Sequence, residues 1–416
     1  MKLSAFGEKF AGDSGIVELM DDLSTALIEN PDMIFMGGGN PGRLPEVEQV
    51  FKDCMETILE DSQQRHSLFG IYQSPQGEKE FRSEVAAYLN KQFGWNLSSR
   101  NIALSNGSQS AFFMLYNMLG GTMADGSKRS IHLPLSPEYL GYRDVGLSSP
   151  FFTATRPKIG HLDEHLFKYH IDFSNLQVDE NTAAMCVSRP TNPTGNVLTD
   201  NEIELLDELA KARDIPLIID GAYGLPFPSI IFTEVTPFWN DNTILVLSLS
   251  KLGLPGARTG IVVANEEIIQ AFTRTNTVTS LACGTMGPAI AKQLFRSGQI
   301  TSLSRDHILP FYRERSHQVV KWFGQNMGNL PYRIHKPEGA IFLWLWFEDL
   351  PISSQELYER LKKRGVLVVP GQNFFVGIED EWAHKHQCIR VSYAQDEATV
   401  KRGVEIIAEE VRKAYE

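Results

Sequence analysis

The chain is 416 residues long and 42% hydrophobic, with 39 lysines and arginines against 51 aspartates and glutamates, a formal net charge of −12. That length exceeds one small domain and suits a large α/β domain with a smaller companion, while the acidic balance makes nucleic acid and anionic membrane poor partners. Four scattered cysteines (Cys54, Cys186, Cys283 and Cys388) fit reduced thiols in a cytoplasmic protein; the N-terminus has no signal-like apolar stretch, and the most apolar run, residues 339–347, is too short to span a bilayer.

From about residue 100, short β-branched runs alternate with longer helical patterns, which predicts βαβ units around a largely parallel sheet. Residues 102–105 read as a strand and 108–118 as the helix after it. Residues 131–134 and 183–187 read as further strands, the second leading through a turn to an amphipathic helix over 200–213. Residues 216–220 form a buried strand ending on Asp220, 243–248 another that delivers Lys251, and 260–264 the next. After about residue 298 the texture changes. A long polar helix over 309–325 precedes strand-like pieces at 332–335, 340–347, 365–369 and 388–393, with helices near 354–363 and 396–415. The expected division is a large domain over 45–298, with a mostly parallel sheet of seven strands flanked by helices, and a small α+β domain over 299–416 that residues 1–44 join.

Ligands of open α/β sheets sit at the carboxyl ends of the strands, and several strand ends here carry polar or glycine clusters. Asn106-Gly-Ser-Gln109 opens a helix, whose free N–H groups and dipole favour phosphate; a plain N-cap at Ser108 is the other reading. Pro137-Glu-Tyr-Leu-Gly-Tyr142 supplies an aromatic to stack on a ring, or two tyrosines to fill a core gap. Ser188-Arg-Pro-Thr-Asn-Pro-Thr-Gly195 cannot be regular helix and holds Asn192 on a rigid turn. Asp220, followed by Tyr223, offers a carboxylate to a ring nitrogen, or caps a helix. In Ser248-Leu-Ser-Lys-Leu-Gly-Leu-Pro-Gly-Ala-Arg258-Thr-Gly260, the amine of Lys251 can condense with an aldehyde while Ser248, Ser250 and Arg258 hydrogen-bond a phosphate. Pyridoxal 5′-phosphate carries both groups. Arg390 is a charge inside the apolar strand Cys388-Ile-Arg-Val-Ser-Tyr393 and needs an acid. A substrate carboxylate suits its bidentate fork, and a structural salt bridge is the alternative.

In this order the segments resemble the class I/II aminotransferases of fold type I, over nearly the whole chain. The resemblance implies pyridoxal 5′-phosphate as cofactor and amino-group transfer by ping-pong. It implies that Gly107, Ser108, Gln109, Ser248, Ser250 and Arg258 face the phosphate, that Tyr139 stacks on the ring, that Asn192 and Tyr223 bind the phenolic oxygen, and that Asp220 binds the ring nitrogen. Lys251 would hold the cofactor as an aldimine and, once freed, carry the proton, with Asp220 and Tyr223 completing the catalytic set. Gly39, Asn192 and Arg390 would bind the substrate. Tyr72, in Tyr-Gln-Ser-Pro-Gln-Gly77, is similar to the element that reaches across the family's homodimer to the partner's cofactor phosphate.

With no obvious second arginine for a dicarboxylate, small neutral substrates such as valine and alanine are favoured, with pyruvate taking the amino group. The alternatives are a β-lyase on the same fold or a different donor preference. A cofactor-sensing transcription regulator would need an N-terminal DNA-binding domain, for which the segment before the large domain leaves no room. Two departures stand out: Gly221-Ala222 follows Asp220 where relatives often carry an acid, and Arg189 replaces a common asparagine or proline. Gly37, Gly39 and Gly42 match a dinucleotide fingerprint, but Pro41 and Pro45 deny it a helix. His161 with His165, and His384 with His386, lack a third ligand, so no metal is expected.

Overall fold

The buried apolar runs assemble side by side in the computed structural model, which describes residues 1–12 and 15–416. The larger sheet has the order Ile102–Ser105, Gly260–Val263, Thr243–Ser248, Leu217–Asp220, Thr182–Ser188, Lys128–Leu133 and Gly121–Thr122, with Phe152–Ala154 also paired to Lys128–Leu133. It has eight strands where seven were expected. The difference lies at one edge, where the two-residue Gly121–Thr122 and the short Phe152–Ala154 share the flank of one strand. Five of the strands are buried along their whole length, as a sheet covered on both faces requires.

Register brings the chemistry to one edge. Thr182–Ser188, Leu217–Asp220 and Thr243–Ser248 run parallel, with Ser188 opposite Asp220 and Asp220 opposite Val246. Gly260–Val263 runs antiparallel between two of its neighbours, so that Gly260 faces Ser248 on one side and Ser105 on the other. The turns that follow Ser105, Ser188, Asp220 and Ser248 therefore open into the same space.

The second sheet has the order Val369–Pro370, Cys388–Ser392, Phe342–Phe347, Tyr332–His335, Leu166–His170 and Lys158–His161. Its last two strands come from the middle of the chain and cross the division expected near residue 298. They are held there by the parallel pairing of Leu166 with Ile334 and by Phe167, which packs edge-on against Trp346 at 5.5 Å. The N-terminal segment straps both parts together. Ile34–Phe35 pairs with Val366–Leu367, and Asp22 accepts hydrogen bonds from Tyr358 and Lys362. Nearer its start, Phe10 meets Phe113 of the large sheet's first helix at 5.8 Å. Among the described residues no helix is long and apolar enough to cross a membrane.

Candidate active site

A cavity of about 450 Å³ lies where the strand ends meet the N-terminal segment. At one end Gly107 caps the helix Ser108–Leu119 with φ +87°, a conformation that glycine takes without strain. A Cβ there would lie 2.2 Å from Arg258 Nη2, so only glycine lets the backbone come this close to the guanidinium. The first-turn residues Ser108 and Gln109 line the cavity, and N–H groups of a first helical turn have no intrahelical acceptor. Arg258 is exposed and hydrogen-bonds Pro255 O at 3.3 Å through Nη1, which leaves most of its fork open. Ser248 and Ser250 complete this donor-rich corner. The side chain of Gln109 is committed elsewhere, its Nε2 donating to Gly141 O at 2.9 Å, so its backbone N–H remains for an anion.

Asp220 sits opposite, buried at the end of its strand. Its Oδ1 accepts from Ala222 N at 2.9 Å and its Oδ2 from the Tyr142 hydroxyl at 2.7 Å. Burial raises its pKa, while the Tyr142 hydrogen bond and the Lys251 charge act the other way. The ring of Tyr139 forms a wall, edge-to-face with Tyr142 at 5.3 Å, and a side chain at Gly141 would strike it at 2.4 Å.

Lys251 follows directly from Thr243–Ser248 in the 3₁₀ turn Ser250–Leu252. Its Nζ donates to Gly39 O and stands 5.4 Å from the centre of the Tyr223 ring. Burial, and then the positive charges of Arg390 and Arg258, bring its pKa from 10.5 down to about 8 against the pull of Asp220. About a tenth of the amine is then neutral at pH 7, and the neutral form is what a nucleophile or base needs.

Arg390 is buried between the faces of Phe342 and Phe374, with its guanidinium carbon 4.1 and 5.0 Å from their centres. Nη1 donates to Asn192 Oδ1 at 2.8 Å and Nη2 to Gly37 O at 2.6 Å, while the buried Nε has no partner. Arginine only donates, so the Asn192 atom facing it is the oxygen, and the Asn192 NH₂ stays available to a ligand. Among the described residues no carboxylate pairs with Arg390, and burial lowers its pKa from 12.5 to about 10. A buried cation without a protein counter-ion is a receptor for an anion.

A sequence model of the family described as aminotransferase class I and II matches residues 32–407. The chain belongs to this family. It is 48% identical over 415 residues to the valine–pyruvate aminotransferase of Escherichia coli (strain K12), covering 100% of this chain and 99% of that one. Its structure superimposes with a TM-score of 0.97 on a putative amino-acid aminotransferase from Psychrobacter arcticum 273-4, at 46% identity and covering 100% and 99% of the two chains. The valine–pyruvate aminotransferase of Salmonella typhimurium LT2 gives 0.89, also at 46% identity, covering 96% and 99%.

Class I and II aminotransferases work with pyridoxal 5′-phosphate, and the donor set fits that group. A corner of N–H and O–H donors for a phosphate, a tyrosine wall, a buried carboxylate and a partly neutral amine surround one cavity. Of the residues expected at the site, the structure lines this cavity with Gly39, Ser108, Gln109, Tyr139, Asn192, Asp220, Tyr223, Ser248, Ser250, Lys251, Arg258 and Arg390. Gly107 supports it from behind Arg258. Tyr72 lies away from it, 84% exposed.

Sequence reading offered Tyr142 only as a stacking or core-filling aromatic and Ser188 only as the start of a turn, gave Glu138 no role, and linked none of the three to Asp220. It also passed over the apolar wall that Leu23, Phe35 and Leu140 give the cavity. Arg189 is a brace for the loop that carries Asn192. Nε and Nη1 each donate at 2.8 Å, to Leu198 O and Thr236 O, and Nη2 meets Asp200 Oδ1 at 2.5 Å. Arg43 pairs with Glu48 in solvent. Of the two histidine pairs, His165 stacks on Tyr332 at 4.3 Å and His384 is buried beside Tyr169. Among the described residues no three His, Cys, Asp or Glu side chains gather as metal ligands.

Proposed function

We propose that this aminotransferase moves the amino group of valine, or of a similarly small neutral amino acid, to pyruvate, yielding 3-methyl-2-oxobutanoate and alanine. The observation that carries the reading is a single buried carboxylate anchor, Arg390, in a cavity whose wall is apolar at Leu23, Phe35 and Leu140. The end-to-end similarity to valine–pyruvate aminotransferase supports the same substrates.

Pyridoxal 5′-phosphate, when bound, supplies an aldehyde for the amino group and a ring that withdraws electrons from the substrate's Cα. Arg258, Ser248, Ser250 and the N–H groups of Ser108 and Gln109 would hold the phosphate. Tyr139 would cover the ring face, Asp220 would keep the ring nitrogen protonated, and Asn192 and Tyr223 would bind the phenolic oxygen. Arg390, with Asn192 and Gly39, orients the substrate carboxylate. Lys251, partly neutral and in reach of Gly39, would hold the proton exchanged at the substrate's Cα. The ring carboxylate at the end of Leu217–Asp220, the carboxylate anchor within Cys388–Ser392 and the amine on the turn after Thr243–Ser248 are held by three separate strands, which would hold Cα in one orientation.

The same reading extends to assembly and place. Tyr72, Ile71 and Phe69 are exposed, as are Val278, Leu281 and Met286 on a neighbouring segment joined to theirs by the Thr285 hydroxyl bond to Leu68 O, 2.7 Å long. An apolar patch of this kind suits a two-fold homodimer interface in which Tyr72 reaches the partner's cofactor phosphate. The four cysteines are free and buried, consistent with a cytoplasmic protein. Product analysis with a panel of amino acids against pyruvate tests the substrate reading. Valine and other small neutral donors give their 2-oxo acids with alanine, and a preference for dicarboxylic or bulky aromatic donors would contradict it.

A further inference from the structure

Behind Asp220 lies a second buried acid that the transfer chemistry leaves unused. Glu138, between Pro137 and the wall residue Tyr139, is fully shielded from solvent. Its Oε1 accepts from Ser188 N at 2.8 Å, its Oε2 lies 2.6 Å from Ser188 Oγ, and Tyr139 N donates to Oε2 at 3.3 Å. Ser188 Oγ stands 3.5 Å from the Tyr142 hydroxyl, which donates to Asp220 Oδ2 at 2.7 Å. The two carboxyl groups are thus the ends of one chain of hydroxyls.

Among the described residues, the titratable groups that act on Glu138 are Asp220, Tyr142, Tyr116 and Cys186, none of them a cation. Asp220, by contrast, has the Lys251 ammonium beside it. Two carboxylates in one dry network repel, and the one without a cation is the cheaper to protonate. Burial, opposed by the Ser188 hydrogen bonds, pushes the Glu138 pKa up to about 8.

We propose that Glu138 is a positioning residue for Asp220: it is held as the neutral acid, and its proton directs the Ser188 and Tyr142 hydroxyls so that they end as donors on an ionised Asp220. The contacts close without a remainder. With the acid neutral, Oε2–H donates a hydrogen bond to Ser188 Oγ along the 2.6 Å line, the reverse of the direction an ionised Glu138 would impose, while Oε2 accepts from Tyr139 N and Oε1 from Ser188 N. Each hydroxyl has one hydrogen to give, so Ser188 turns to Tyr142 and Tyr142 to Asp220. The pair holds one proton and one charge, and the charge lies on the cavity side, where this proposal, resting on the functional reading above, needs it for a ring nitrogen.

Infrared difference spectra of the holoenzyme, wild type minus Glu138→Gln, test this apart from turnover. The account expects the carbonyl band of a protonated carboxylic acid in the wild type near neutral pH, absent from the variant and fading as pH rises through about 8. Because glutamine mimics the neutral acid, the bound cofactor's absorbance spectrum is expected to be unchanged at neutral pH in Glu138→Gln and shifted in Ser188→Ala. A carboxylate band alone in the wild type at neutral pH, or an acid band that survives in Glu138→Gln, overturns the assignment. If the substrate reading fails while the band behaves as described, the donor preference is wrong and the acid pair stands.

Discussion

Arg390 offers the sharpest separation of function from stability. Its fork already gives one N–H to Asn192 and another to Gly37, and no carboxylate of the described chain answers its charge. Arg390→Lys keeps a cation but loses the planar geometry that meets a carboxylate with two bonds. Losing one charge-assisted hydrogen bond and misplacing the other removes about 2–4 kcal/mol of transition-state stabilisation, roughly 30- to 1,000-fold in kcat/KM. Valine and pyruvate present the same carboxylate to the same anchor, so both half-reactions fall together. Arg390→Met goes further in activity but not in stability. Lowering the guanidinium pKa from 12.5 to about 10 corresponds to a burial cost of about 3 kcal/mol, which the substitution relieves. The orphaned Asn192 Oδ1 and Gly37 O cost about 1–3 kcal/mol each and offset it. The unfolding free energy of the apo-protein should therefore change by no more than about 3 kcal/mol, while kcat/KM for both substrates collapses. Steady-state kinetics with each substrate varied in turn, beside urea unfolding, reads both. Wild-type kcat/KM in Arg390→Lys, or loss confined to one substrate, would refute the reasoning.

The other predictions are of different kinds. Lys251→Ala should retain pyridoxal 5′-phosphate non-covalently, judged by dialysis and absorbance, and lose transamination by many decades; near-normal turnover would remove Lys251 as the proton carrier. The rate at which the apo-protein attaches the cofactor covalently should rise with pH through about 8. Arg390→Met removes a like charge beside the amine, so that midpoint should move to higher pH, and a midpoint left in place contradicts the electrostatic account. Buried His335 is fixed as the neutral ring, with Nε2 accepting from Tyr169 N at 3.1 Å and Nδ1 donating to Lys336 O at 2.9 Å, and burial lowers its pKa from 6.5 to about 3. The unfolded chain takes up this proton first, so stability is full above about 6.5 and is lost toward about 3, at about 1.4 kcal/mol per pH unit. His335→Gln should flatten the urea midpoint's pH dependence across that window, and an unchanged slope contradicts it. Hybrids of Lys251→Ala with Tyr72→Phe subunits should contain one site with wild-type cofactor affinity; hybrids that bind no better than the Tyr72→Phe dimer would place Tyr72 within its own subunit.

What the sequence made legible is what local pattern encodes. Strands ending on Asp220 and just before Lys251 were readable because apolar β-branched runs stop abruptly at a polar residue, and the parallel register then brings those ends together. Strands Lys158–His161 and Leu166–His170 were not, because what makes this hairpin part of the second sheet is the pairing of Leu166–His170 with Tyr332–His335, more than 150 residues later in the chain. Glu138 reads in sequence as an ordinary charge in a turn. Only the fold shows that it is buried and joined, through Ser188 about 50 positions on and then Tyr142, to Asp220 about 80 positions on. That no acid among the described residues pairs with Arg390 is likewise invisible in one dimension, since the sequence holds 51 acidic residues.

The most direct test of the central claim follows the nitrogen. With ¹⁵N-valine, pyruvate and pyridoxal 5′-phosphate, the account predicts ¹⁵N-alanine and 3-methyl-2-oxobutanoate in equal amounts, with no label released as ammonia. Free ¹⁵N-ammonia, or the absence of labelled alanine while valine is consumed, would contradict it.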